Sequence, residues 1–325
     1  MNEQMLPKIR KNQSKDLNPS FPRVLRIEPA SQCNLACSHC PTGTVDMDRG
    51  LMNSETFGNV IKNIEENKDF IKVVVLYHGG EPLLNKNFFS YVRKIKDINS
   101  DIFIKTVSNG MALTELIANK ILDSQLDAIE FSLDGLSAEE SQHIRIKSKT
   151  LKIINNVKYL ISQKIRKNLT KPNIFISTVQ FVRSEEKENI PSEAKTPEWL
   201  LSQFGDQVSY KPCFAKMWPH MGNNHDFELL YTIGEDINEC DHVVSTITVR
   251  ANGDVVPCCY DLTSKLIMGN VNEDSLSDIW NGSKYETLRN SINNKKFISI
   301  CSNCSTVKPP VYLVPKWKQE LKFIK

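Results

Sequence analysis

Between residue 24 and about residue 211, short apolar, β-branched runs alternate with stretches in which apolar residues recur every three or four positions. The runs Val24–Glu28, Lys72–Tyr77, Ile102–Val107, Ala128–Leu133, Asn173–Phe181 and Gln207–Lys211 predict strands. Ser54–Glu66, Asn87–Ile98, Thr114–Leu122, Leu151–Gln163 and the weaker Pro197–Phe204 predict amphipathic helices. Ser137 and Glu140 have the spacing of a capping box and add a short helix. Six strands with helical crossovers make a parallel α/β sheet, closed either as a doubly wound sheet or as a partial barrel. Periodicity does not choose between the two.

After about residue 212 the pattern changes. Ile247–Val256 predicts a hairpin, with Asn252 and Gly253 supplying the positive φ angles of its turn. Helices are expected around Leu276–Trp280 and Tyr285–Ile292, the second opened by a capping box of Ser283 and Glu286. The tail Val314–Lys325 is basic and predicts a short helix closing the barrel. No internal repeat or low-complexity segment is present.

Composition adds limits. The 325 residues allow one large domain, or one of moderate size with a small companion, and 40% hydrophobic residues can bury a proper core. A net charge of +3 without any block of like charge gives no indication of a nucleic-acid partner. No apolar run reaches the length of a membrane span, and Val73–Leu76 suits a buried strand. Met1–Ser20 is polar, with Lys8, Arg10, Lys11 and Lys15, and reads as neither secretory signal nor anchor. Nine cysteines without such a signal point to a reducing cytoplasm, where thiolates are available to metals.

The chemistry concentrates in cysteines and strand ends. Cys33, Cys37 and Cys40 are spaced C-x3-C-x2-C directly after the first predicted strand. Three thiolates on one short loop can each hold one iron of a [4Fe–4S] cluster and leave the fourth iron open; by chemistry alone, zinc or buried free thiols are the alternatives. The second strand runs into Tyr77-His-Gly-Gly-Glu-Pro82, where Gly79 and Gly80 allow close backbone approach and Glu81 can accept from an ammonium group. Val107-Ser-Asn-Gly110 and Phe131-Ser-Leu-Asp-Gly135 end the third and fourth strands, and Arg145 follows Gly135 by ten residues. Cys240, Cys258 and the pair Cys301-Ser-Asn-Cys304 form a second, closed set of four thiols that suits zinc or a cluster.

Taken together these residues resemble the radical S-adenosylmethionine (SAM) superfamily. The resemblance implies a partial (β/α)6 TIM-like barrel whose cluster loop follows the first strand. It implies that the open iron held by Cys33, Cys37 and Cys40 binds SAM, whose reductive cleavage yields a radical that abstracts hydrogen from a substrate carbon. Gly79, Gly80 and Glu81 would hold the SAM amino group; Ser108, Asn109, Ser132 and Asp134 its ribose and carboxylate; Arg145 its carboxylate; and His39, through its backbone and ring face, the adenine. His78 is placed to face the substrate.

The segment from Cys240 to Cys304, with Gly253, Cys259, Gly269-Asn-Val271 and Ile279-Trp280, is similar to the twitch form of the SPASM domain. That likeness implies a second, auxiliary [4Fe–4S] cluster on Cys240, Cys258, Cys301 and Cys304. The chain accordingly divides into an N-terminal extension (1–21), a radical SAM barrel (22–211), a twitch/SPASM-type domain (212–310) and a tail (311–325). Cys213 and Cys259 remain as candidate hydrogen donors to a substrate radical, and Lys211, Met217, Trp218 and His220 as candidate pocket residues.

Relatives with this plan include dehydrogenases of an aminocyclitol alcohol. Only about twenty residues precede the first strand, too few for a leader-peptide recognition domain. The expectation is an oxidoreductase acting on a small polyol, sugar or related metabolite and reduced by a donor such as flavodoxin or ferredoxin. The alternatives are a maturase or epimerase of a ribosomal peptide and, from another class, a non-catalytic iron–sulfur or zinc scaffold.

Overall fold

Six parallel strands occupy the first two thirds of the chain in the computed structural model, which describes residues 18–221 and 226–317. They are β1 (Val24–Ile27), β2 (Val73–Val75), β3 (Phe103–Ser108), β4 (Ala128–Ser132), β5 (Asn173–Gln180) and β6 (Ser209–Phe214). They pair in the order in which they occur along the chain. A doubly wound sheet would reverse its order at a switch point, so the unbroken order makes this a partial (β/α)6 barrel. The sixth strand continues past the expected end at Lys211 to Phe214, because it stays in register with β5 as far as Gln180.

The crossover helices are Ser54–Glu66, Phe88–Ile98, Glu115–Asp123, Ala138–Ile144, Thr150–Arg166 and Glu198–Phe204. Their starts follow local chemistry: Asn53, Thr114 and Ser137 each cap by accepting a hydrogen bond from a backbone N–H in the first turn. Only half of the Ser137 box forms, since the Glu140 carboxylate instead accepts from the Leu136 N–H and pairs with Arg183, both at 2.8 Å.

Alternation along the strands separates two faces. Leu25, Ile27, Val74, Ile104, Ile129, Phe131, Ile174 and Ile176 pack under the helices in the main core. The intervening residues, among them Arg26, Lys105 and Glu130, face the barrel interior.

The remaining strands are β7 (Phe227–Tyr231), β8 (Thr246–Val249), β9 (Asp254–Val256), β10 (Gly269–Asn270) and β11 (Val311–Pro315). The β8–β9 hairpin is continuous with the barrel, because β8 pairs parallel to β1 from Thr246 beside Val24 to Val249 beside Ile27. Its turn uses positive φ at Gly253 alone (+92°), not at Asn252 as expected. The Gly253 N–H bonds to the Arg250 carbonyl and the Arg250 N–H to the Asp254 carbonyl, a three-residue loop that needs a single left-handed position.

Helices Leu276–Asn281 and Ser283–Asn293 follow. The second is preceded by Gly282 without a side-chain cap, which corrects the expected Ser283 box. The expected tail helix is also corrected at its start: Val311–Pro315 is a strand paired antiparallel with β7, and residues 318–325 lie outside the described ones. Most of the N-terminal extension, residues 1–17, likewise lies outside them. One hydrophobic core runs from the barrel helices through Val249 to Trp280 and Tyr285, tying the hairpin region to the barrel. Among the described residues no helix is long and apolar enough to cross a membrane.

Candidate active site

The loop carrying Cys33, Cys37 and Cys40 sits over the C-terminal ends of the strands. It is held from several sides: the Ala36 and Ser38 N–H groups bond to the Ile146 and Ile144 carbonyls, both at 3.1 Å, and the Glu81 N–H bonds to the Gln32 carbonyl at 2.8 Å. Gly80 is required by this closeness, since a Cβ there would collide with the backbone of Ala30, Ser31 and Gln32. The three thiols are free and within electrostatic reach of one another. Burial pushes the Cys37 thiol up to about 12, so the low-dielectric pocket favours thiolates only with a cation to pair them.

The strand ends around the loop bind one another. The Glu81 carboxylate, 1% exposed, accepts from the Leu83 N–H (3.1 Å), the Ser108 hydroxyl (2.9 Å) and the Asn109 N–H (2.7 Å). It therefore clasps the ends of β2 and β3. The Asn109 amide nitrogen reaches the Asn34 side-chain oxygen at 2.7 Å and Cys33 Sγ at 3.6 Å, joining the third strand end to the cluster loop. Ser132 bonds with Ser177 across β4 and β5 at 3.3 Å.

Asp134 and Arg145 form a buried ion pair of 2.7 Å beside Cys37, and Asp134 also accepts from the Val179 N–H at 3.0 Å. Burial alone would lower the Arg145 guanidinium, but Asp134 and Cys37 hold it above its ordinary value. His39 turns its ring toward Asp134 (3.6 Å) and edge-on to Phe181. The expected SAM contacts thus converge on one rim, while the carboxylates of Glu81 and Asp134 and the fork of Arg145 already have protein partners.

A buried residue outside the expected set organises the other side. Glu28, fully buried at the end of β1, accepts from the Gly79 N–H (2.8 Å), the Ala251 N–H (3.1 Å) and Arg250 Nε (3.2 Å). Its partner lies 222 residues away, so no local sequence signal marks it. His78 bonds to the Asp261 carbonyl at 3.2 Å and is sealed from solvent between the barrel and the hairpin, not turned to an open pocket. Burial drives it down to about 4, with Glu28 opposing.

Cys240, Cys258, Cys301 and Cys304 are buried and free, and each is within electrostatic reach of at least two of the others. Burial raises Cys240 and Cys301 to about 12, so without a paired cation these thiols keep their protons. Cys259 has a partner outside this set: its Sγ lies 3.9 Å from His242 Nε2. Burial would raise it, but His242 and Arg26 bring it down to about 7. Cys213 lies on exposed β6, within electrostatic reach of Asp134 and Glu130, and burial of its thiol with those carboxylates raises it to about 11. Of the expected pocket residues, Lys211 faces the interior and pairs with Glu130 at 2.7 Å. Trp218 packs on Tyr260, next to Cys259, with ring centroids 5.4 Å apart. Met217 packs instead against the small core around Phe181 and Leu313, and the His220 ring has a buried Nε2 without a hydrogen-bond partner.

Both cysteine sets therefore offer donors of the right kind for iron–sulfur clusters, one of three thiols and one of four. Family models agree in position. The radical SAM superfamily model matches residues 27–179, and the model of the iron–sulfur cluster-binding domain SPASM matches residues 240–305. Across 322 residues the chain is 26% identical to the tungsten-containing aldehyde ferredoxin oxidoreductase cofactor-modifying protein of Pyrococcus furiosus, with 87% of each chain covered.

Among solved structures, BtrN in complex with AdoMet and 2-DOIA superposes with a TM-score of 0.57 at 18% identity, covering 88% of this chain and 94% of that one. Native anSMEcpe with bound AdoMet and Cp18Cys peptide superposes with a TM-score of 0.57 at 16% identity, covering 88% of each. The three-cysteine loop on a partial barrel, the closed four-cysteine set behind it and both family matches together show that this chain is a radical SAM enzyme with a C-terminal SPASM domain, whose cofactors are SAM, its [4Fe–4S] cluster and an additional iron–sulfur cluster.

Proposed function

We propose that this enzyme is an oxidoreductase that dehydrogenates a small hydrophilic metabolite, such as a polyol, sugar or relative of these, bound in the barrel interior. Cys33, Cys37 and Cys40 would hold the SAM-binding cluster, and Cys240, Cys258, Cys301 and Cys304 the auxiliary one. When bound, these cofactors supply a hydrogen-abstracting radical and a one-electron acceptor. The chain's own residues position them: Asn109 orients Cys33, Gly80 lets the cluster loop lie on the strand ends, and Asp134 with Arg145 supports the loop at Cys37. A separate one-electron donor, such as a flavodoxin or ferredoxin, would reduce the first site.

The observation that carries this reading is the adjacency of the four-cysteine set to the interior. Cys258 and Cys259 lie within electrostatic reach of Arg26, and Cys259 also of Tyr77 and Lys105, so an acceptor held there borders the chamber in which a substrate radical would form. A charged, polar interior suits a small hydrophilic compound better than an apolar peptide segment. The likeness to anSMEcpe, solved with a peptide, supports peptide modification as the second reading.

The test is anaerobic incubation of the reconstituted protein with SAM, a reductant and panels of sugars, polyols and peptides. Deoxyadenosine release stimulated by one small alcohol, with a ketone product and loss of both in Cys37→Ala, is expected. Stimulation by peptides alone would reverse the preference. Deoxyadenosine release that persists in Cys37→Ala would reject the residue assignment.

A further inference from the structure

The barrel interior carries an unbalanced charge. Arg26 on β1, Lys105 on β3 and Lys211 on β6 all face it, against one carboxylate among the described strand residues, Glu130 on β4. The carboxylates at the rim are committed elsewhere, Glu28 to Arg250, Asp134 to Arg145, and Glu81 to the Leu83 and Asn109 N–H groups and the Ser108 hydroxyl. Lys211 uses Glu130, at 2.7 Å, and lies over the Phe175 ring at 4.1 Å. Arg26 is 8% exposed; it lies over the Tyr77 ring at 4.8 Å, and its Nε is buried without a hydrogen-bond partner.

Lys105 makes neither a hydrogen bond nor an ion pair from its ammonium among the described residues, although it stands within electrostatic reach of Arg26, Lys211 and Glu130. Burial, reinforced by Lys211, brings it down to about 8. Crowding like charges around buried Arg26 and part-buried Lys105 is costly unless a counter-charge arrives. Among the described residues Glu130, already paired with Lys211, and Cys259 are the opposing groups within electrostatic reach of Lys105, and neither bonds to its ammonium.

We propose that the barrel interior is an anion-recognition site in which Lys105, flanked by Arg26 and Lys211, binds a carboxylate or phosphate group of the substrate. The unpaired ammonium of Lys105 supplies the charge, and the buried, unpartnered Nε of Arg26 supplies a directed donor. Lys211 is held back by Glu130 and tunes the field more than it binds. The substrate class narrows to acidic metabolites, sugar acids or sugar phosphates among them. This inference deepens the proposed small-molecule reading and rests on the interior being the substrate chamber.

The test is equilibrium titration calorimetry on reconstituted protein saturated with SAM, so that neither the open iron nor the SAM carboxylate site takes up the probe. Sodium pyrophosphate is titrated in one arm and sodium succinate in the other, which separates a phosphate from a carboxylate preference. Wild-type protein is expected to bind at least one of them. Lys105→Met should weaken that binding about tenfold or more, and Lys105→Arg should keep most of it, as loss of one charge-assisted contact implies.

Iron content checks that each variant is intact. Should Lys105→Met fail to fold, Lys211→Gln, at a more open position, is expected to weaken the same anion about threefold. Wild-type protein binding neither anion, Lys105→Met binding with wild-type affinity, or Lys211→Gln leaving the affinity unchanged where it alone folds, would overturn the proposal. SAM cleavage is scored separately: Lys105-dependent binding by a protein that never cleaves SAM would reject the assigned activity and leave the anion site standing.

Discussion

Replacing Arg145 by methionine separates two roles for this residue. As a SAM ligand it would matter only when SAM is present; as the partner of Asp134 it matters to the fold itself. The carboxylate of Asp134 is 1% exposed, and without Arg145 its partners among the described residues are the Val179 N–H at 3.0 Å and the His39 ring at 3.6 Å. Breaking a buried ion pair from one side costs about 3–5 kcal/mol. For roughly 300 ordered residues sharing one core, an unfolding entropy of about 0.6 kcal/mol per kelvin turns this into a fall in Tm of about 5–8 °C.

The assay is thermal unfolding of reconstituted protein without SAM, for Arg145→Met, Asp134→Asn and the double variant. Each single change should destabilise the protein. The double variant should lose less than the sum, with a coupling of about 2 kcal/mol or more. A wild-type Tm for Arg145→Met in the absence of SAM, with only SAM affinity reduced, would refute the strut role and return Arg145 to the SAM carboxylate.

Other consequences follow from the same geometry. His78 is held neutral, at about 4 against 6.5 for an open ring, so its contribution is complete above pH 6.5 and is lost as pH falls toward 4; at pH 5 this amounts to about 2 kcal/mol. Denaturant titrations at pH 7.5 and pH 5 should therefore show a smaller loss in His78→Gln than in wild type, and equal losses would refute the assignment. Glu28→Gln removes a charged acceptor shared by Gly79, Ala251 and Arg250 and should cost about 2–3 kcal/mol, read by chemical denaturation; an unchanged midpoint would show that the clasp is dispensable. Metal analysis should find about eight irons per reconstituted chain and about four in Cys301→Ser, whereas one zinc with four irons would replace the auxiliary cluster by a zinc site.

The sequence made the helices legible because their signals are local. Asn53, Thr114 and Ser137 are caps next to amphipathic repeats, and each helix starts beside them. The six strands were legible from alternation alone, but their closure as a barrel needed the cysteine loop and its resemblance. What stayed hidden depends on distant pairing. Glu28 and Arg250 meet only because β8 aligns with β1, and the inward face of Lys105 has meaning only once the strands curve around it. Arg145 carries both kinds of signal: its spacing from Gly135 suggested a ligand contact, and the fold also gives it Asp134 as a partner eleven residues away.

The first strand connects the surroundings of the two cysteine sets. Its end supplies Glu28, which grips Gly79 at the SAM rim on one side and the hairpin at Ala251 and Arg250 on the other. Two residues earlier, Arg26 turns inward to Tyr77 and toward Cys258 and Cys259. Both cysteine sets are thus referred to the same short run of backbone, and β8 adds a parallel ladder along its whole length. In the proposed dehydrogenation, a radical made at one set and an electron accepted at the other would require a fixed separation, and a shared strand fixes it more rigidly than a flexible linker between independent domains. Loosening β1 should therefore uncouple substrate oxidation from SAM cleavage before it abolishes either cluster.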